Sequence, residues 1–228
     1  MREIVMDTET TGLEAEGGDR IVEIGGVELV NHLPTGRTYH QYINPERSMP
    51  AEAFAVHGLG DDFLRDKPVF ASVADAFLAF VGDAKLVIHN ASFDMAFLNA
   101  ELRRCGKPLL PMAQAVDTLQ IARQKFPGAQ ASLDALCRRF GVDNSAREKH
   151  GALLDSEILA EVYLELLGGR QQGLVLDQAR RKTGAVAVAE DWAPPPRPRP
   201  LAPRLTDDEA AAHAAFVEEL GDGAIWKT

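Results

Sequence analysis

Five residues from three distant stretches of the chain have the types and spacing that metal-assisted hydrolysis needs. Asp7 and Glu9 stand two apart at the end of an apolar run, with Val5 behind them. On a strand that spacing turns both carboxylates to one face. Alone, such a pair is equally a strand end with solvated acids. Asp155 says more. On a helical wheel Ile158, Leu159, Val162 and Leu166 fall within about 60° of it, whereas Glu157, Glu161 and Glu165 mark the wet side. A carboxylate in an apolar stripe is costly unless a cation meets it, an Arg distant in sequence or a metal. The helix has no Arg or Lys of its own, and metal is the favoured reading. Asp94, beside Phe93 and Phe97, opens another helix, where an acid also suits the helix dipole. His150, in KHGALLD, is followed by Gly151 and so precedes the last helix on a turn. Loop histidines are commonly solvated, but one five residues from an inward Asp is a candidate general base. Four acids and an imidazole suit two divalent ions, Mg²⁺ or Mn²⁺, that clamp an in-line phosphoryl displacement. The sequence has no Gly-rich phosphate loop, no zinc-type Cys/His spacing and no G-x-S-x-G elbow.

These residues need a scaffold. Alternation and turn signals predict strands at residues 3–9, 21–29 and 37–43, separated by LEAEGGDR and NHLPTG. A helix over 75–81, a strand over 85–89 and a helix over 92–104 follow, with Ser92 as N-cap and Gly106 ending the last of these. A short strand at 115–117 precedes helices near 119–125, 133–140 and 152–167, the last stopped by Gly168 and Gly169. The order β-β-β-α-β-α-β-α-α-α implies an α/β fold, a mixed sheet flanked by helices.

The 228 residues suffice for one domain with appendages, and 46% hydrophobic with 25% charged residues is a globular composition. No apolar run approaches the roughly 20 residues of a membrane span. MREIVMDTET does not read as a signal peptide, and two cysteines, Cys105 and Cys137, fit a reducing cytoplasm. The formal charge of −10 argues against a protein that coats DNA nonspecifically. Residues 1–168 carry −9, residues 169–204 carry +4 and residues 205–228 carry −5. Six of thirteen prolines lie between Pro194 and Pro203, a semi-rigid linker. The expected organisation is a catalytic domain over 1–169, a linker over 170–204 and a docking segment over 205–228. Arg138, Arg139, Arg147 and Lys149 precede His150 and are candidates to receive a strand's phosphates.

MDTETTGL (Met6–Leu13), HNASFD (His89–Asp94) and HGALLD (His150–Asp155), in this order, resemble the DEDDh, DnaQ-like 3′→5′ exonucleases. The Tyr-containing sister class carries its base four residues before the last Asp, where this chain has Gly151. The resemblance implies a ribonuclease H-like mixed five-stranded sheet flanked by helices, with a flexible C-terminal linker and tail. It implies two divalent metal ions (Mg²⁺ or Mn²⁺) on Asp7, Glu9, Asp94 and Asp155, with Asp7 bridging, and His150 as base. It places the terminal nucleotide against Glu9, Thr10, Thr11, Gly12, Val56, His57, Asn90 and Phe93. Core packing suits Phe93 as well, and a structural hydrogen bond suits His57 and His89.

The segment LTDDEAAAHAAFVEELGDGAIWKT resembles the tail of the family's epsilon-type proofreading branch in bacterial DNA polymerase III. This implies a DNA 3′ end, single-stranded or mispaired, as substrate and the polymerase catalytic (alpha) subunit as partner. QQGLVL looks like a sliding-clamp (beta) peptide through Gln171, Leu174 and Leu176; lacking an aromatic sixth residue, it would bind weakly. Thr206 and Glu209 form a capping box that opens an Ala-rich helix. Phe216, Val217 and Leu220 are too few to fold it alone. Phe216, Leu220, Ile225 and Trp226 are the expected polymerase anchors. Two other readings stay open: a stand-alone nuclease of the same chemistry acting on RNA or repair intermediates, and a non-enzymatic tether between polymerase and clamp.

Overall fold

The computed structural model describes residues 1–145, 149–169 and 205–221. Arg147, the proline-rich linker, Gln171, Leu174, Leu176, Ile225 and Trp226 lie outside them. The chain divides into two units, Met1–Leu174 and Val175–Thr228. Of the second unit, one helix (Asp207–Glu219) is described; it carries the Thr206–Glu209 capping box and leaves Phe216 and Leu220 exposed.

The first unit is built on a five-stranded sheet of β1 (Arg2–Thr10), β2 (Ile21–Val30), β3 (Leu33–Tyr42), β4 (Lys85–Ile88) and β5 (Ala115–Asp117), in the order β3-β2-β1-β4-β5. The hairpin strands pair antiparallel, and β1, β4 and β5 run parallel. Helices α1 (Ala51–His57), α2 (Asp61–Leu64), α3 (Phe70–Val81), α4 (Ala91–Arg104), α5 (Thr118–Lys125), α6 (Leu133–Phe140) and α7 (Ala152–Leu167) complete the unit. The short α1 and α2 have no counterpart in the sequence reading, because neither is long enough to show a 3.6-residue period.

Alternation along β1 sorts the interior. Ile4 and Met6 join Phe70, Phe77, Phe97 and Leu98 from α3 and α4 in the largest apolar cluster. Val5 packs on the other face with Val27, Val87, Leu159 and Tyr163. The opposite ends of α7 and β1 meet twice. The Tyr163 hydroxyl donates to Glu3 Oε1 at 2.8 Å, and Asp155 lines one cleft with Asp7. Glu3 to Asp7 spans about 13 Å of strand and Asp155 to Tyr163 about 12 Å of helix, so α7 lies antiparallel along β1 in matching register. Gly25, opposite Asp7 in the ladder, permits this. A Cβ there would overlap the Ala152 and Leu153 backbone at the start of α7.

Two local expectations are corrected. Strand β3 begins at Leu33 rather than residue 37, because Asn31 and His32 (φ 52° and 66°) make a two-residue turn and free Leu33 and Pro34 for pairing. Pro34 is tolerated there because β3 is an edge. Ser92 does not cap α4: Asn90, at φ 67°, holds that position.

Candidate active site

The candidate residues gather at the carboxyl ends of the parallel strands, where open α/β sheets bind ligands. β1 delivers Asp7 and Glu9 to the α7 face, and the first turn of α7 delivers Asp155. One ligand atom each from Glu9, His150 and Asp155 lies within 4.8 Å of the others. His150 precedes the N-cap Gly151, on a turn as the sequence suggested. Its Nδ1 is 3.2 Å from Asp155 Oδ2, and its backbone N–H donates to the Val56 carbonyl at 3.3 Å. Lys149 Nζ lies 5.2 Å from the centre of the Phe54 ring, so α1 holds the turn that carries the histidine.

Asp94 stands behind this group. It is 2% exposed and accepts the Thr8 hydroxyl at 2.8 Å. Burial dominates its electrostatics and raises its pKa to about 7 against the pull of that hydrogen bond. Glu9 is pushed up to about 8, chiefly by burial, then by the charges of Asp155, Glu23 and Asp94, with His150 pulling the other way. Buried carboxylates that raise one another's pKa mark a deficit of positive charge. Hard oxygen donors around such a deficit fit a hard divalent metal ion.

Two clefts meet at Glu9. One, of about 590 Å³, is lined by Asp7, Glu9, Asn90, His150 and Asp155 together with Arg123, Ser132 and Asp134. The other, of about 610 Å³, is lined by Thr10, Thr11, Gly12, Val56, His57 and Phe93. Of the expected nucleotide residues, only Asn90 falls on the catalytic side alone. A tight loop shapes the second cleft. Asp19 accepts the Thr11 hydroxyl at 3.1 Å and the Glu14 N–H at 3.0 Å, and is held by Arg47 at 2.7 Å. A Cβ on Gly12 would collide with that carboxylate. His57 is 6% exposed, and its Nδ1 accepts the Leu59 N–H. Phe93 stacks on Phe97 at 4.8 Å and borders the core, so packing and cleft wall coincide in it. His89 also lines the first cleft, and its Nδ1 meets the Thr118 hydroxyl at 2.9 Å.

The sequence reading missed Glu52 and Ala53, which line the second cleft from the unforeseen helix α1. It also missed Arg123. The available signal was the local charge, since residues 118–140 hold four basic side chains and one acid in an acidic domain.

The exonuclease family matches residues 4–163. The chain is 58% identical over 174 residues to the DNA polymerase III subunit epsilon of Rickettsia conorii, covering 75% of this chain and 76% of that one. It is 42% identical to the Escherichia coli subunit over 238 residues, covering 99% and 97%. This chain belongs to the epsilon-subunit family of 3′→5′ exonucleases. Among solved structures, the nuclease domain of 3′hExo, a DEDDh family member bound to rAMP, shares the fold. Its TM-score is 0.64 at 22% identity, with 73% of this chain and 91% of that chain covered.

Proposed function

We propose that the chain removes mispaired 3′-terminal nucleotides for a replicative DNA polymerase, by hydrolysis that depends on two divalent metal ions held by Asp7, Glu9, Asp94 and Asp155. The cluster of Glu9, His150 and Asp155 carries the chemistry. The metals supply Lewis acidity, which makes a water nucleophilic near neutral pH and offsets charge on the phosphate. Asp155 engages His150 Nδ1, orienting the imidazole to accept the water's proton at Nε2. The water oxygen bonds to phosphorus, and the bond to the 3′ oxygen of the penultimate nucleotide breaks. The products are a nucleoside 5′-monophosphate and a strand one residue shorter with a 3′ hydroxyl. Thr10, Thr11, Gly12, Val56, His57 and Phe93 hold the terminal nucleoside, and Asn90 adjoins the phosphate.

The match to the E. coli relative across 99% of the chain supports a polymerase partner over a stand-alone nuclease, because it extends past the nuclease domain. In this reading residues 1–169 are the nuclease and residues 170–204 carry a weak clamp (beta) contact through Gln171, Leu174 and Leu176. Residues 205–228 dock on the catalytic (alpha) subunit through Phe216, Leu220, Ile225 and Trp226.

The test is digestion of paired and mispaired primer ends with Mg²⁺ or Mn²⁺, with products identified. Asp7→Ala and His150→Ala are expected to abolish release of 5′-monophosphates, and full activity in EDTA would sink the mechanism. Unchanged binding to the catalytic subunit after deletion of residues 193–228 would favour a stand-alone nuclease. Absence of Mn²⁺ binding by calorimetry would favour a tether.

A further inference from the structure

The domain's charge is unevenly spread. Residues 1–168 carry −9, but residues 118–140 contribute +3, which leaves −12 on the remainder. Elsewhere the cations are mostly spent: eight of them, Arg2 and Arg20 among these, sit in ion pairs. Arg123, Lys125, Arg138 and Arg139 are all exposed and form no ion pair among the described residues. Lys149, grouped with Arg138 and Arg139 by sequence, turns instead to Phe54 on α1.

Three of these cations, Arg123, Arg138 and Arg139, lie along a route that starts in the catalytic cleft. Arg123 of α5 lines that cleft, as do Ser132, Leu133 and Asp134 at the start of α6. Continuing along α6, Ala135, Arg138 and Arg139 line an open groove with Gln130. Arg138 is four residues beyond Asp134, about 6 Å along the helix axis. Arg139 is fixed in place, its guanidinium 4.4 Å from the centre of the Phe126 ring. Phe126 packs on Phe140 at 5.9 Å, which joins the far ends of α5 and α6.

We infer that the exposed side of α5 and α6 is the track by which a single nucleic-acid strand reaches the site. Arg123 receives a phosphate at the cleft mouth, and Arg138 and Arg139 receive phosphates further toward the 5′ side. The inference rests on the exonuclease reading and adds the strand's path to it. A row of unpaired cations continuous with a phosphodiester site matches a polyanion, and each phosphate neutralised releases counterions. In a domain of net −9, a strand displaced from this face meets repulsion, so the track also sets the direction of approach.

The test compares Arg138→Gln/Arg139→Gln with Arg103→Gln/Lys107→Gln, which removes the same charge from ion-paired positions elsewhere. Two substrates are used with Mn²⁺: a single strand of about 12 nucleotides, within the reach of such grooves, and the p-nitrophenyl ester of thymidine 5′-monophosphate, which occupies only the clefts. For the first variant, KM for the strand is expected to rise about tenfold at low salt, with the salt slope reduced by about 1.4. Its kcat and its hydrolysis of the ester are expected to stay within about twofold of the parent. Arg139→Lys keeps the charge and is expected to keep the parent KM. Thermal melts identify a folding defect, and Arg138→Gln alone, which leaves the Phe126 contact intact, then carries the test. Unchanged KM, an equal effect in the control variant, or a parallel loss on the ester would overturn the track. Failure of the unaltered protein to cleave the ester would overturn the exonuclease reading itself.

Discussion

Glu3 and Glu9 lie on the same strand and the same face, both nearly buried, yet their surroundings differ. Glu3, 0% exposed, receives the Tyr163 hydroxyl on one oxygen and has His32 Nδ1 at 2.8 Å from the other. Glu9, 8% exposed, has Asp155, Glu23 and Asp94 nearby, and its pKa rises to about 8. The first is an acid with a hydroxyl donor and an imidazole beside it, and it joins the hairpin to α7. The second is an acid among acids, whose burial and acidic neighbours disfavour its charged form. Burial alone therefore does not mark a functional carboxylate; the sign of what surrounds it does.

The sharpest way to break this comparison is to remove each charge in turn. Glu9→Gln is expected to lower kcat/KM by at least about 10³-fold, the scale of losing preorganised charge at a reacting centre. The same variant should melt at a higher temperature than the parent at pH 8 without metal, since it removes one of the repelling charges. Glu3→Gln is expected to do the reverse, with melting lowered and activity within about twofold. Paired melting curves and steady-state rates check both. Equal behaviour of the two variants would erase the distinction.

Gly25→Ala tests whether the register of α7 on β1 carries the site. A Cβ at residue 25 meets the Ala152 backbone, not a movable side chain. Helix α7 must shift, and Asp155 with it. A displacement near 1 Å is expected to cost about 10² in rate, and the overpacking about 1–3 kcal/mol in stability. Rates and denaturant midpoints measure the two losses separately.

Much of this was legible in the sequence. That Asp7 and Glu9 share a face was readable from strand spacing, and that Asp155 is buried from its place in an apolar stripe, because both follow from period alone. The edge of β3 was misread because turn residues also occur in strands when a two-residue loop makes the turn. Helix α1 went unseen because seven residues show too little periodicity, and with it went Glu52 and the support that Val56 and Phe54 give the His150 turn. Gly25 was also hidden, since the need for a missing Cβ exists only once the helix is docked.

The pH dependence of the metal-free protein gives the next effect in size. The pKa of Glu9 rises from 4.5 to about 8, and that of Asp94 from 3.8 to about 7. Groups raised in the folded state favour folding below their unfolded pKa, and that contribution is lost as pH climbs through the folded values. Melting of the metal-free protein is therefore expected to fall from about pH 4.5 to about pH 8, and Glu9→Gln should flatten the fall. With Mn²⁺ in excess the trend should reverse, because the ion displaces protons and binds more tightly as pH rises. Calorimetric melts across this range check both signs.

The smallest effect isolates the structural end of β1. Tyr163→Phe removes the donor to Glu3 Oε1 and leaves the ring packed with Val5 and Leu159. Losing one partner of a buried carboxylate is expected to cost about 1–3 kcal/mol, a lowering of melting temperature by several degrees in a protein of this size. The rate should stay within about twofold, because Asp155 lies two turns away on α7 and is also positioned by Gly25 and the first turn of that helix. A large rate loss without a stability loss would show that the two ends of the strand are coupled through α7. Glu3 would then belong to the apparatus that positions the site, rather than to the frame alone.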